Sequence, residues 1–392
     1  MKIAHVGDTH LGKKALKLKE REKDFELAFE RFIDSVIENK VDMVIHSGDL
    51  FDTGKPDIEV ILFCMKQLAR LKEKGIPFFV VKGSHDVGFG DTKTIIDLLE
   101  QAGLLVDLSN PRYLHGNELL GERVGNVCIY GVWGKKSKIK EFYQNINVKL
   151  DPNCFNILLF HHAVSSIAGS EMFADINTED LPKGFDYYAS GHWHGREELK
   201  YNGKPLIYPG SLENCNMDEM IRNDEKGYYL IDTETGEYKF VRIKTRPVIV
   251  LEVEANDEDA DTLMDKAINS IKEVKSKEGE EPILIILFYG KIKDKRSKID
   301  KGYLSRVAKE KGYLFANVSI SRLKEEEDNQ DIEIKQTNVK DIEKEYLGAK
   351  GYSESEVELA QKIMEILGAK LKPSELEKEV EKVKKLIEAY AK

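Results

Sequence analysis

Apolar residues gather along the first half of this chain in short runs, at 2–6, 43–46, 78–81, 155–160 and 187–189, mostly rich in Val, Ile, Phe and Tyr. Runs of that length and make-up read as buried strands. Between the early runs the period changes. Phe25, Ala28, Phe29, Phe32, Ile33, Val36 and Ile37 recur three and four apart, the wide apolar stripe of a helix that covers one face of a sheet. A second helix is predicted over 57–74, with Pro56 near its start and Gly75 just past its end. Strands that alternate with helices predict an α/β domain on a largely parallel or mixed sheet, with ligands collected at the carboxyl ends of its strands.

Beyond about residue 245 the pattern is different. A strand at 248–253, a helix at 257–275, an apolar run at 283–289, a helix at 301–311 and a strand at 313–320 make a β-α-β-α-β unit large enough to fold alone. Residues 325–350 are polar and charge-dense with few aromatics, as in a linker. Helical periodicity then returns. Val357, Ala360, Met364 and Leu367 form one stripe closed by Gly368, and after Pro373 a capping box of Ser374 and Glu377 opens another, Leu376, Val380, Val383, Ile387 and Tyr390. A short helical pair at the end of a linker cannot bury both stripes by itself, so a helical partner is expected. The chain divides on this reading into 1–245, 246–324, 325–350 and 351–392.

Five segments close or follow the early apolar runs with side chains that bind metals: GDTHLG at 7–12, GDLFD at 48–52, GSHD at 83–86, His161 with His162, and GHWH at 191–194. Asp8 and His10 are two apart, as are His192 and His194, so in extended chain each pair points to one side. The tandem His161 and His162 face opposite ways, so at most one of them joins such a site. Carboxylates mixed with imidazoles suit Mn, Fe or Zn, and this many donors suit two ions rather than one. Two metals close together activate a water and clamp the attacking and leaving oxygens of a phosphoryl displacement. The implied chemistry is phosphoester hydrolysis.

The ordered set D-x-H, GD, GxHD, H and GHxH is similar to that of the calcineurin-type metallophosphoesterases. With its C-terminal arrangement, the chain resembles the nuclease subunit of the SbcCD family, whose archaeal and eukaryotic members are called meiotic recombination eleven. That resemblance implies a four-layer α/β/β/α metallophosphoesterase domain, a smaller α/β capping domain that narrows a DNA cleft, and C-terminal helices that dock on the coiled-coil base of an SbcC-like, Rad-fifty-type ATPase. It also implies that Asp8, His10 and His194 hold one Mn2+, that Asp49 bridges, and that His161 and His192 hold a second Mn2+. His85 would contact the scissile phosphate and assist the leaving oxygen, with Asp86 orienting its ring. The implied function is double-strand-break repair by a homodimer, as a 3'-5' exonuclease on duplex ends and an endonuclease on single strands.

One departure matters. The family has Asn before the catalytic His, as a ligand of the second metal, and this chain has Ser84. A hydroxyl is a shorter and weaker ligand, so a weaker second site is expected. Asp52 also stands where some relatives carry His. Two other readings compete with the nuclease: a phosphatase of another substrate on the same scaffold, which leaves the capping unit and terminal helices without a purpose, and a DNA-end tether with weakened catalysis.

Composition adds bounds. At 392 residues and 41% hydrophobic, the chain can bury more than one core. A net charge of −10 looks wrong for a DNA enzyme, but Lys13, Lys14, Lys17, Lys19, Arg21 and Lys23 follow the first metal motif, and Lys135, Lys136, Lys138 and Lys140 follow the apolar stretch at 127–132. Of these, Lys13, Lys14, Lys135 and Lys136 are the candidates for contacting a phosphate backbone. Residues 7–14 read G-D-T-H-L-G-K-K, one residue short of a phosphate loop, because Lys14 stands where a Ser or Thr hydroxyl belongs. His5 and His46 lie inside apolar runs and read as core histidines, and His115 as a loop residue. Four scattered cysteines, Cys64, Cys128, Cys154 and Cys215, show no paired spacing and read as reduced thiols. No apolar run approaches 18 residues. A cytoplasmic, nucleoid-associated protein without membrane contact is expected.

Overall fold

The computed structural model describes residues 1–87, 93–134, 138–168, 174–274 and 281–325, with residues 353, 356, 357, 359–361 and 384 beyond them. Lys135 and Lys136 lie outside the described residues, as does nearly all of the predicted linker and terminal helices. In chain order the main elements of the first domain begin with β1 (Lys2–Val6), α1 (Lys19–Glu38), β2 (Met43–His46), α2 (Ile58–Glu73), β3 (Phe78–Val80), α3 (Ile95–Gln101) and β4 (Val106–Asp107). They continue with β5 (Glu122–Val124), β6 (Val127–Val132), α4 (Ile139–Asn145), β7 (Phe155–Phe160), β8 (Tyr187–Ser190), β9 (Glu197–Tyr201) and β10 (Lys204–Tyr208). Then come α5 (Met217–Arg222), β11 (Gly227–Asp232) and β12 (Tyr238–Arg242).

Two six-stranded sheets result, in the orders β12-β11-β1-β2-β3-β4 and β9-β10-β8-β7-β6-β5. Their central strands are parallel, and the outer strands β11, β12, β9 and β5 run antiparallel. Alternation along each strand decides which layer a side chain enters. On β1, Ile3 joins Met43, Ile45, Phe79, Ile157, Leu159 and Ala189 in the layer between the sheets, whereas Ala4 and Val6 pack with Phe29, Phe32, Ile33 and Leu68 of the helices. The second sheet sends Tyr130, Leu158, Phe160 and Tyr188 outward, against Tyr143 of α4. The order of layers is helix, sheet, sheet, helix. The predicted stripe of α1 is the buried face of that helix, Phe25, Ala28, Phe29, Phe32, Ile33 and Val36. The expected 57–74 helix is α2, capped by Asp57 and Lys74.

The later elements are β13 (Val248–Glu258), α6 (Ala260–Glu273), β14 (Ile283–Ile292), α7 (Lys301–Glu310) and β15 (Phe315–Lys324), with the strands in the order β13-β14-β15. They form the β-α-β-α-β succession that the pattern predicted. The chain separates into two compact units, one of residues 1–252, 266–287 and 301–319, the other of 253–265, 288–300 and 320–392. Within the first, Val248, Ile283, Ile285 and Leu287 pack against Met220 of α5. In the second, Ala260 N donates to Asp294 (3.0 Å) and Arg296 Nε to Glu325 (3.2 Å).

Among the described residues no helix is long and apolar enough to cross a membrane. His5 and His46 are fully buried. His5 sits between the sheets with Nδ1 3.1 Å from the Tyr187 hydroxyl and Nε2 3.3 Å from Ser47 Oγ, so it is a paired core histidine. Burial lowers the pKa of each ring from 6.5 to about 3.

Acid sensitivity follows. The unfolded chain takes up these protons near pH 6.5 and the folded one only near pH 3, so their stabilisation is complete above pH 6.5 and is lost as pH falls toward 3. Each ring contributes a slope of about 1.4 kcal/mol per pH unit in that window. His5→Gln, measured by urea unfolding over the window, is expected to reduce the slope by about one proton's worth; an unchanged slope would mean that His5 is already charged in the fold.

Candidate metal centre

The loops that leave β1, β2, β3, β7 and β8 meet at one end of the two sheets. The strand pairing continues past the strands themselves: Asp8 N donates to Gly48 O, His10 N to Asp49 O and Leu11 N to Leu50 O, each at 3.0 Å. This ladder holds the first two motifs side by side. Asp8, His10, Asp49 and His192 all have left-handed backbones, at φ 51, 43, 55 and 82°. The Asp8 and His10 side chains therefore converge through kinks rather than through the alternation of an extended strand, which corrects the sequence expectation. The motif glycines serve close approach. A Cβ at Gly83 would stand 2.2 Å from Asp49 N, and one at Gly48, at φ 98°, 2.4 Å from His161 Nδ1.

Two overlapping donor sets result. Ligand-type atoms of Asp8, His10 and Asp49 lie within 4.8 Å of one another, as do those of Asp49, His161 and His192. Asp49 is common to both. His10 Nε2 and His194 Nε2 approach to 3.1 Å, which brings His194 to the first set. Ser84 Oγ is 3.3 Å from Asp49 Oδ2. The sequence candidates Asp8, His10, Asp49, Ser84, His161, His192 and His194 are thus brought together, and His162 turns outward to the Tyr143 hydroxyl at 3.4 Å.

Several imidazoles are oriented from behind. His161 Nδ1 is 2.7 Å from the Ser47 carbonyl, which can only accept, so Nδ1 carries a proton and Nε2 is the nitrogen turned into the site, free to act as a ligand once its own proton is released. His194 Nδ1 is 2.8 Å from Glu219, whose other oxygen is held by Ser211 (2.7 Å) and Lys226 (3.1 Å). His192 has Asp175 3.5 Å from its Nε2. Asp52 meets His10 Nδ1 at 3.2 Å and Lys13 Nζ at 2.7 Å. Sequence reasoning missed Glu219 and Asp175, which stand outside every motif, and it left the role of Asp52 open.

The donor set fits divalent cations. Buried His161 Nε2 lies 3.1 Å from Asp49 Oδ2, yet off the direction of a hydrogen bond, as ligands converging on a common ion do. Electrostatics agree. Burial raises the Asp8 carboxyl, and the Asp49 charge adds to this. Burial also acts to raise Asp49, but the His161 and His10 rings hold it well below the usual carboxylate range. His161 is pushed down by burial and is nevertheless raised to about 9 by Asp49 and Asp8. Two buried carboxylates facing four imidazoles are a site for positive charge.

His85 and Asp86 do not form the expected dyad. The Asp86 carboxylate is fully buried and accepts from Gly83 N (2.9 Å), Phe51 N (3.0 Å) and Leu50 N (3.2 Å), so it ties two loops together instead of orienting the ring. The His85 ring is positioned by the Asp52 carbonyl, 2.7 Å from Nδ1. It lines a cleft of about 360 Å³ with Asp49, Ser84, His192, Trp193 and His194. The basic stretch is also revised. Arg21 is fully buried and pairs with Asp24 (2.7 Å) and Glu213 (3.0 Å), while Lys14 is paired with Asp57 at 3.2 Å.

The model of the calcineurin-like phosphoesterases matches residues 1–196. Among curated relatives, the DNA double-strand break repair protein Mre11 of Sulfurisphaera tokodaii is 35% identical over 235 residues, which is 59% of each chain. The protein of the same name from Sulfolobus acidocaldarius is 27% identical over 401 residues, covering 100% of this chain and 99% of the relative. That of Saccharolobus solfataricus is 32% identical over 302 residues, covering 74% and 75%.

Removing the Asp86 carboxylate leaves three buried amides without an acceptor, so Asp86→Ala is expected to lower the unfolding free energy by about 3 kcal/mol. His85→Ala, at a half-exposed ring, is expected to change it by under about 0.5 kcal/mol. Urea unfolding of both variants checks the contrast; equal effects would return Asp86 to the role of ring-orienting partner.

Proposed function

The chain belongs to the calcineurin-like phosphoesterases and, within them, to the Mre11 family, and from that premise we propose that it is a manganese-dependent nuclease of DNA double-strand-break repair. The observation that carries this reading is the pair of donor sets that share Asp49. Asp8, His10 and His194 would hold one ion, His161, His192 and Ser84 the other, with Asp49 between them. When bound, such ions supply a water activated for attack and positive charge for the phosphate oxygens.

The residues of the chain supply the rest. Because Nδ1 of His85 faces a carbonyl, that nitrogen keeps its proton and donates, and Nε2 is the atom turned to the leaving oxygen of the cleaved phosphodiester, to which the doubly protonated ring gives its second proton, ending as the neutral Nδ1–H imidazole. The Asp52 backbone fixes the ring while its carboxylate braces His10. Glu219 and the Ser47 carbonyl fix the tautomers of His194 and His161, so both present Nε2 to the centre. Lys13 and Lys14 stand beside the first motif as candidates for phosphate contact, joined by Lys135 and Lys136.

In this reading the enzyme acts as a 3'-5' exonuclease on duplex ends and an endonuclease on single strands. Ile58 and Leu62 of α2 are 70 and 60% exposed one turn apart, and Leu98 of α3 is 55% exposed. These apolar side chains support a homodimer. The stripes within 351–392 support docking on an SbcC/Rad-fifty-type ATPase.

Hydrolysis of an end-labelled DNA duplex, set against a phosphomonoester, tests the proposal. Manganese-dependent loss of the DNA label is expected; turnover of the monoester alone would make the chain a phosphatase, and turnover of neither would make it a tether. His85→Gln is expected to lower nuclease turnover about 100-fold or more with manganese affinity unchanged. Ser84→Asn is expected to tighten the weaker manganese site in a calorimetric titration; identical isotherms for the two proteins would remove Ser84 from the ligand set.

A further inference from the structure

Two of the four cysteines meet on the outer face of the second sheet, away from the metal centre. Cys128 lies on β6 opposite Asn156 of β7, and Cys154 precedes Asn156 by two residues, which puts both sulfurs on one face. The Sγ atoms are 2.6 Å apart, well inside van der Waals contact. The turn that carries Cys154 is locked. Asn156 Nδ2 donates to the Asp151 carbonyl (2.9 Å) and to the Cys154 carbonyl (3.0 Å), and Cys154 N donates to Asp151 O (3.1 Å). The strand register and this turn fix the two backbones, so the sulfurs face one another across the pair.

We propose that Cys128 and Cys154 are a disulfide-forming pair that cross-links β6 to the turn before β7 and closes the connection carrying the basic residues Lys135, Lys136, Lys138 and Lys140. A shared metal ion explains the contact less well. The Asp151 carboxylate, the further donor grouped with them among the described residues, accepts from Arg123 Nη1 (2.8 Å) and Asn153 N (2.9 Å), and an ion between two thiolates would hold them further apart than they are. Cys64 and Cys215 are buried in other clusters.

Oxidation proceeds by exchange with a low-molecular-weight disulfide. One cysteine thiolate attacks it, forming a mixed disulfide and releasing one small thiolate; the second cysteine thiolate then displaces the remaining small thiolate and leaves the protein S–S bond. One small disulfide becomes two thiols, and the two cysteine protons go to the released thiolates. Burial and the neighbouring thiol hold Cys128 up at about 12, so exchange is slow in the folded state.

The test uses the full chain after prolonged incubation with glutathione disulfide. Denaturation and alkylation with iodoacetamide are expected to label two cysteines before phosphine reduction and four after it, and digestion to yield one linked peptide pair joining Cys128 to Cys154. The oxidised protein is expected to melt about 5 °C or more above the reduced one. In Cys128→Ser and Cys154→Ala that difference is expected to vanish, with three alkylated thiols in each. Four labelled cysteines after oxidation, a linked pair of other composition, or one retained equivalent of zinc in the reduced wild-type protein would overturn the proposal. The peptide result is read on the wild-type chain, so poor folding of a variant does not blur it.

Discussion

The fold of the first domain is arranged around one carboxylate that the interior has to accommodate, that of Asp49. Its Oδ1 accepts the His85 amide at 2.7 Å, and its Oδ2 stands 3.1 Å from His161 Nε2 and 3.9 Å from His10 Nε2. A second buried carboxylate, Asp8, belongs to the same cluster. Burying two like charges together is strongly unfavourable unless positive charge faces them. The imidazoles provide part of that charge, and a divalent cation is the species that the remaining donors suit.

Bringing those groups together strains the chain locally. Four left-handed non-glycine residues at the centre cost on the order of 1–3 kcal/mol each, in sum comparable to the whole stability of a small domain. The strain persists because its surroundings over-determine it. The loop ladder from Asp8 to Leu50, the three amides gathered by Asp86 and the steric demand met by Gly48 and Gly83 leave the backbone no relaxed alternative. Rigidity of this kind serves a reaction that depends on fixed positions for attacking and leaving oxygens.

Around the ligands lies a second set of polar groups. Glu219 links His194 to Ser211 and Lys226, and Asp52 links His10 to Lys13 while its carbonyl holds His85. Ionic contacts continue at Arg21, which pairs with Asp24 and Glu213, and at Arg246, which returns to Asp24 at 2.6 Å. The start of α1, part of the basic run that follows the first metal motif, is therefore anchored through its arginine. The charge run was misleading because a guanidinium can be buried where two carboxylates and a carbonyl accept from its terminal nitrogens.

The sequence by itself determined the strand runs, the stripe of α1 and the bounds of α2, the β-α-β-α-β succession and the identity of most of the side chains that gather at the centre. Those features are local: a period of two or of 3.6 and a ligand placed just past a strand end are both written within a few residues. Only the tertiary structure decided what meets across distance. It gave Asp86 to three backbone amides rather than to His85, the Asp52 carbonyl to His85, Glu219 to His194 and Cys154 to Cys128. None of these pairings has a spacing signature, because each is set by sheet order and by kinks in the loops, and those follow from packing the whole domain rather than from any one segment.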